Sequence, residues 1–167
     1  MRKDWRGVRL FTRRGFDWSD RYPAITIALQ LLRVRSAIID GEAVYCGKDG
    51  ISDFNKLHSH AHNDDVFLYA FDLLELNGDD LRKQTFERRK GELEKLLISG
   101  GWGLRLVEHM EGDGPIIFKH SCKLKLEGIV SKRKDLGYRS GPSKTWLKTK
   151  NLMSPAALRV IEDNAVW

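Results

Sequence analysis

The segment Val66 to Leu76, VFLYAFDLLEL, is a long apolar and aromatic run closed by Asn77-Gly78. A run of this length that ends in a turn dipeptide reads as a central β-strand. Asp72 stands inside it. A carboxylate buried without a partner costs several kcal/mol, so the fold must either supply Asp72 with an opposite charge or put it to use. The residues leave two readings open. Asp72 orients a functional lysine or arginine, or it belongs to a structural ion pair.

Other elements follow from the same kind of reading. Ala37 to Tyr45 is apolar and β-branched around Asp40, Gly41 and Glu42, and Lys48-Asp49-Gly50 supplies a turn. That predicts a strand entering a hairpin. Period two places Asp40, Glu42 and Val44 on one face, as a solvated edge or as the lining of a cleft. From Thr85 through Ile98 the residues Phe86, Leu93, Leu96 and Leu97 recur at helical spacing, with Thr85 as N-cap and Gly100-Gly101 as the stop. Leu104 to Glu108 reads as a short strand, and Gly114-Pro115 opens a second helix through about Leu124. Gly128 to Lys132 and Thr145 to Lys150 are two further strands. Between them, Lys134 to Lys144, with Gly137, Ser140, Gly141, Pro142 and Ser143, reads as a flexible basic loop. Ser154-Pro155 begins a short helix. With 167 residues and no repeat or long linker, one compact core is expected.

No apolar run approaches the ~18 residues that a membrane span requires. Cys46 and Cys122 show no C-x-x-C spacing, fit a reducing compartment, and read as small buried hydrophobes. His58, His60 and His62 lie in a polar stretch without further ligands nearby, which reads as a solvated loop rather than a zinc site. The formal net charge is +6. The excess concentrates in Arg2 to Arg14 and Lys119 to Lys150, interleaved with Trp5, Phe11, Tyr138 and Trp146, a pattern suited to a phosphate backbone or to a solvated basic face.

Two C-terminal segments carry the most specific chemistry. EGIVSKR (Glu127 to Arg133) and WLKTK (Trp146 to Lys150) place one carboxylate and three lysines on neighbouring strands. Mg²⁺ keeps most of its waters and leans on phosphate oxygens, so a single Glu suffices to anchor it, and the lysines answer phosphate charge. A regular strand sends Glu127 and Lys132 to opposite faces, so a bulge or a strand end must intervene if both serve one phosphate. Lys148 and Lys150 alternate onto one face with Trp146, as an exposed basic strand also would. Phe71 reads from its surroundings as core.

Five ordered segments together, LFTRRG (Leu10 to Gly15), IDGEAV (Ile39 to Val44), LYAFDLLEL (Leu68 to Leu76), EGIVSKR and WLKTK, resemble the adenylation (nucleotidyltransferase) domain of ATP-dependent DNA ligases of the bacterial end-joining type. The resemblance implies an α+β fold, the DNA ligase/mRNA capping enzyme nucleotidyltransferase fold, with antiparallel sheets flanked by helices in an ATP-grasp-like arrangement. It implies ATP and Mg²⁺ (or Mn²⁺) as cofactors, nicked or broken double-stranded DNA as partner, no membrane, and a cytoplasmic, nucleoid-associated setting in bacteria. By the same resemblance Arg13 contacts the nucleotide or the nicked end, Glu42 the ribose and metal region, and Phe71 stacks on adenine. Glu127, with Glu42, serves the metal, while Lys132, Lys148 and Lys150 are catalytic and hold the nucleotide phosphates.

The family's K-x-D-G-x-R segment, whose lysine is the nucleophile, has no counterpart among these residues; Lys3-Asp4 does not fit it. The expectation is therefore a partial adenylation domain over residues 1–150 that cannot adenylate itself, and a C-terminal tail over 151–167 too short for an OB-fold domain. A second chain would then supply the lysine or the barrel. A non-catalytic nucleotide- or DNA-binding remnant, and an RNA ligase or capping-type nucleotidyltransferase, are the alternatives.

Overall fold

The computed structural model describes residues 1–48, 50–98, 100–141, 143–155 and 157. Asp49 of the expected turn, Pro142 of the basic loop and most of the helix expected after Ser154-Pro155 lie outside them. The chain divides into two compact units rather than around the single core expected. The first comprises Met1–Val107 with Asp135–Tyr138, the second Glu108–Lys134 and the chain from Arg139 onward.

In the first unit the elements are β1 (Arg2–Asp4), β2 (Gly7–Arg9), α1 (Pro23–Leu31), β3 (Ala37–Val44), α2 (Phe54–His58), β4 (Phe67–Leu76), β5 (Asp79–Asp80), α3 (Phe86–Leu97) and β6 (Leu104–Leu106). The sheet runs β2-β1-β3-β4-β5, and β6 pairs β4. Those neighbours are antiparallel except β4 with β6, which is parallel, so the sheet is mixed where antiparallel pairing was expected. The apolar run is indeed the central strand, with β3 on one side and β6 and β5 on the other. Asn77 (φ 54°) and Gly78 (φ 99°) form the tight turn into β5, a conformation in which both residues need positive φ. Thr85 caps α3 by accepting the Arg88 N–H at 3.3 Å.

The hydrophobic cluster is built by Ile25, Ala28, Leu29 and Leu32 from α1 and its end, Ala37 and Ile39 from β3, Leu68, Ala70 and Leu73 from β4, Leu93 from α3 and Leu104 from β6. α1 was not among the expected elements. Its signal is present: Pro23 occupies the first turn, and Ala24, Ile25, Ala28 and Leu29 bury one stripe. Lys3 finishes the helix, donating from Nζ to the carbonyls of Gln30 (2.8 Å) and Leu32 (2.6 Å). The β1–β2 hairpin was likewise not among the expected elements, since Arg2 to Arg14 read as a cationic stretch with interleaved aromatics.

Along β3, Ala37 and Ile39 are buried while Glu42 is exposed, so period two holds. The register with β4 instead slips twice, from Leu73 to Glu75 and from Ala70 to Asp72. Leu74 and Phe71 are therefore bulge residues. Gly41 lies against the strand beside this slip, where a Cβ would come within 2.7 Å of Leu68 Cδ2 and of the Tyr69 carbonyl oxygen. Only glycine fits there.

The second unit holds α4 (Gly114–Lys123), β7 (Gly128–Lys132) and β8 (Trp146–Lys150). Asp113 caps α4 through the Ile116 N–H at 3.0 Å. β7 and β8 form an antiparallel ribbon. Cys46 and Cys122 are half-buried, not the buried hydrophobes expected, since one sits at a hairpin bridge and the other on a helix with a narrow buried stripe.

Two glycines give opposite expectations. Gly41→Ala should lower stability by about 1–3 kcal/mol through overpacking, whereas Gly91→Ala, in the interior of α3 with open space around it, should raise it by about 0.5–1 kcal/mol. Urea unfolding midpoints of the two variants check this.

Candidate functional site

The ribbon of the second unit gathers the lysines named from sequence. Its register pairs Lys132 with Trp146, Val130 with Lys148 and Gly128 with Lys150. Directly paired residues share a face, and alternate residues return to it, so Lys132, Lys148 and Lys150 all stand on one side of the ribbon. Lys148 and Lys150 are exposed and Lys132 is half-buried. Lys132 Nζ lies 3.9 Å from the centroid of the Trp146 ring, which orders this one of the three cations. Neighbours along and diagonally across such a ribbon are about 7–8 Å apart, a spacing at which one polyphosphate can meet more than one ammonium.

Glu127 is where the expected interruption occurs. β7 begins only at Gly128, whose φ is +149°. Any Cβ at Gly128 would fall 2.1 Å from the Thr149 carbonyl oxygen. The strand thus ends at this glycine, freeing Glu127 from strict alternation with Lys132. Glu127 is exposed, and its carbonyl accepts the Asn151 N–H at 2.8 Å beside the Gly128–Lys150 pair. Around the ribbon, Lys119 to Lys150 contains ten Lys and Arg against two acidic residues. Triphosphate chemistry suits such a donor set, and one exposed carboxylate suits a water-rich Mg²⁺.

The first unit carries the other sequence-named residues. Asp40 and Glu42 project from the outward face of β3. Asp40 Oδ2 accepts the Tyr138 hydroxyl at 2.9 Å, and the Tyr138 N–H donates to the Arg82 carbonyl at 2.8 Å. Desolvation, together with the negative charge of Asp40, pushes the Tyr138 phenol up to about 12. Phe71, at the bulge, is half-buried rather than part of the buried cluster; a bulge re-aims its side chain, a device common beside active sites. Arg13 is exposed in a turn closed by Gly15, whose N–H meets the Thr12 carbonyl at 2.9 Å.

Asp72 finds its opposite charge in Arg89. Both side chains are wholly buried, with Nε–Oδ1 at 2.7 Å and Nη2–Oδ2 at 2.9 Å. Arg89 also donates to the carbonyls of Gln84 (2.6 Å) and Leu136 (3.4 Å). Sequence reasoning missed this arginine, although Arg89 and Lys90 occupy the stripe positions between Phe86 and Leu93 on α3, where apolar residues belong. Lys90 donates to the Val107 carbonyl, and burial lowers its pKa. The histidines converge on nothing: His58 and His60 are exposed, and His62 stacks on Tyr45 at 4.8 Å. Among the described residues no cluster of three metal-ligating side chains occurs, and no helix is long and apolar enough to cross a membrane.

Residues 1–150 match the family described as ATP dependent DNA ligase domain. The chain belongs to the ATP-dependent DNA ligase domain family. Its relatives include the multifunctional non-homologous end joining protein LigD of Pseudomonas aeruginosa, 35% identical over 147 residues, 86% of this chain and 18% of that protein. LigD of Mycolicibacterium smegmatis is 31% identical over 144 residues, again 86% of this chain and 19% of its own length. The crystal structure of the ligase domain from M. tuberculosis LigD superposes with a TM-score of 0.79 at 32% identity, covering 89% of this chain and 50% of that one. A mycobacterial DNA ligase D complexed with ATP and MES gives the same TM-score of 0.79 and 32% identity over 90% of this chain and 50% of its own. This ligase-family chain thus spans less than a fifth of those LigD proteins and half of the solved domains. The nucleotidyltransferase fold inferred from five motifs is the fold found.

Tyr138 gives this region a pH signature. Its folded pKa lies above the ordinary tyrosine value of 10.0, at about 12, so its contribution to stability is complete below pH ~10 and is lost as pH rises through ~12. Tyr138→Phe should abolish that alkaline loss and remove a step at about pH 12 from a spectrophotometric titration of the tyrosines.

Proposed function

We propose that this chain contributes the nucleotide-handling part of an ATP-dependent DNA ligase, with nicked or broken duplex DNA as the substrate to be joined. The observation that carries the reading is the placement of Lys132, Lys148 and Lys150 on one ribbon face beside Glu127. In this reading the three ammonium groups neutralise the phosphates of ATP. They act mainly by positioning and by charge, as phosphoryl transfer demands. The Trp146 ring keeps Lys132 ordered for this task.

Glu127 would hold a Mg²⁺ ion, which would neutralise phosphate charge when bound. Glu42 would serve the ribose and metal region. Phe71 supplies an apolar platform for adenine. Arg13 addresses the nucleotide or the nicked DNA end. The ATP-complexed mycobacterial relative supports ATP as the nucleotide.

We further infer that a polypeptide of these 167 residues binds ATP without forming a covalent lysine adduct. No K-x-D-G occurs in it, and the Lys3 ammonium is held by two carbonyls at the end of α1. An ammonium engaged in this way is a poor nucleophile.

Incubation with α-labelled ATP and Mg²⁺ should leave no acid-stable label, while equilibrium binding of ATP is retained and falls about tenfold in Lys148→Ala, as loss of one charge-assisted contact implies. A labelled lysine overturns the no-adduct inference. Absence of ATP binding, or binding indifferent to Lys148→Ala, overturns the nucleotide reading, and tighter binding of GTP transfers the chain to the capping class.

A further inference from the structure

The β1–β2 hairpin has two unlike faces. Inward, Lys3 ties to the α1 carbonyls and Val8 packs against the hydrophobic cluster. Outward, the register sets Arg2 directly opposite Arg9 and Asp4 opposite Gly7. Like charges directly across an antiparallel pair repel, so this face is a cost to the fold that an anion would relieve. Arg6 and Phe11 complete a shallow cleft with these residues.

The acids present do not cancel the arginines. Asp4 pairs with Arg2 at 2.6 Å and also accepts the Arg6 N–H at 2.8 Å. Asp17 accepts from Ser19, which is the main reason its carboxyl lies below the usual range, with Arg9 only a minor contributor. Against these two stand Arg2, Arg6 and Arg9, with Arg13 and Arg14 exposed in the turn that follows. At the tip, Trp5 is 85% exposed, and the Arg6 guanidinium lies 4.8 Å from its ring centroid. Phe11 is exposed on the same face. Packing gives no reason to leave an indole so far out, and its stacked arginine holds it as a ready platform.

We propose that this outward hairpin face binds single-stranded DNA, with phosphates at Arg2, Arg6 and Arg9 and an unstacked base on Trp5. It rests on the reading that the chain works on DNA, and concerns residues separate from the lysine ribbon. A cationic track interleaved with aromatic rings is how proteins hold unpaired strands without regard to sequence. An intact duplex would use the arginines only, since its bases are already stacked.

Fluorescence titration of the full chain with an oligothymidylate, and with a blunt duplex of equal length, tests the proposal. The single strand should bind more tightly. Trp5→Ala should weaken it about tenfold, and Arg2→Gln and Arg9→Gln should each reduce the slope of log affinity against log salt by about 0.7. Circular dichroism and ATP binding should stay at the level of the unaltered chain in all three variants, which separates this outcome from failure of the nucleotide reading. Affinity and salt slope unchanged by the substitutions, a duplex bound as tightly as the strand with Trp5→Ala silent, or no binding of the oligothymidylate at all would each overturn it.

Discussion

The Asp72–Arg89 pair is the joint on which the first unit is assembled. A carboxylate on the central strand and a guanidinium on the buried stripe of α3 are both out of solvent and meet through two parallel hydrogen bonds. Taking either charge out of water alone would cost several kcal/mol. Together they fix α3 on β4 beside the bulge that carries Phe71. The remaining Arg89 donors reach the carbonyls of Gln84 and Leu136, and so hold the Asp135–Tyr138 segment next to the outward face of β3. Tyr138 can then reach Asp40. One ion pair thus orders strand, helix and returning loop around the bulge at Phe71 and the outward face of β3.

The second unit uses a different device. Its ribbon has little buried apolar surface, and its defining feature is that strand alternation turns three lysines scattered along the sequence into one cationic face. Gly128 closes the strand where no other residue would fit against Thr149. That local break lets a carboxylate and the lysines appear in one short motif without obeying strict period two. The cationic face itself follows from strand geometry and charge.

Much of this was legible in the residues. The central strand, the capped α3, the strand carrying D-G-E and the β7–β8 ribbon follow from apolar periodicity and turn chemistry, which are local signals. α1 and the β1–β2 hairpin were hidden because a short Pro-led stripe and a register of three residue pairs are too brief to show a clear period beside the charges of Arg2 to Arg14. Arg89 could not be assigned as the partner of Asp72, since the two are distant in sequence and only the folded sheet brings them together. The bulge at Phe71 was equally invisible: a slip in register depends on two strands at once. Gly41 and Gly128 were read as motif letters, yet each is required because a carbonyl of the neighbouring strand approaches too closely for a Cβ.

A double-mutant cycle on Asp72 and Arg89, read by urea unfolding, tests the central claim most directly. Arg89→Met alone should cost about 3–5 kcal/mol because it leaves a buried carboxylate unpaired. The Asp72→Leu/Arg89→Met double variant should recover a large part of that loss, while amide exchange at Tyr138 quickens in both as its loop loses the guanidinium. Arg89→Met within about 0.5 kcal/mol of the unaltered chain, with Tyr138 protection intact, would contradict the account.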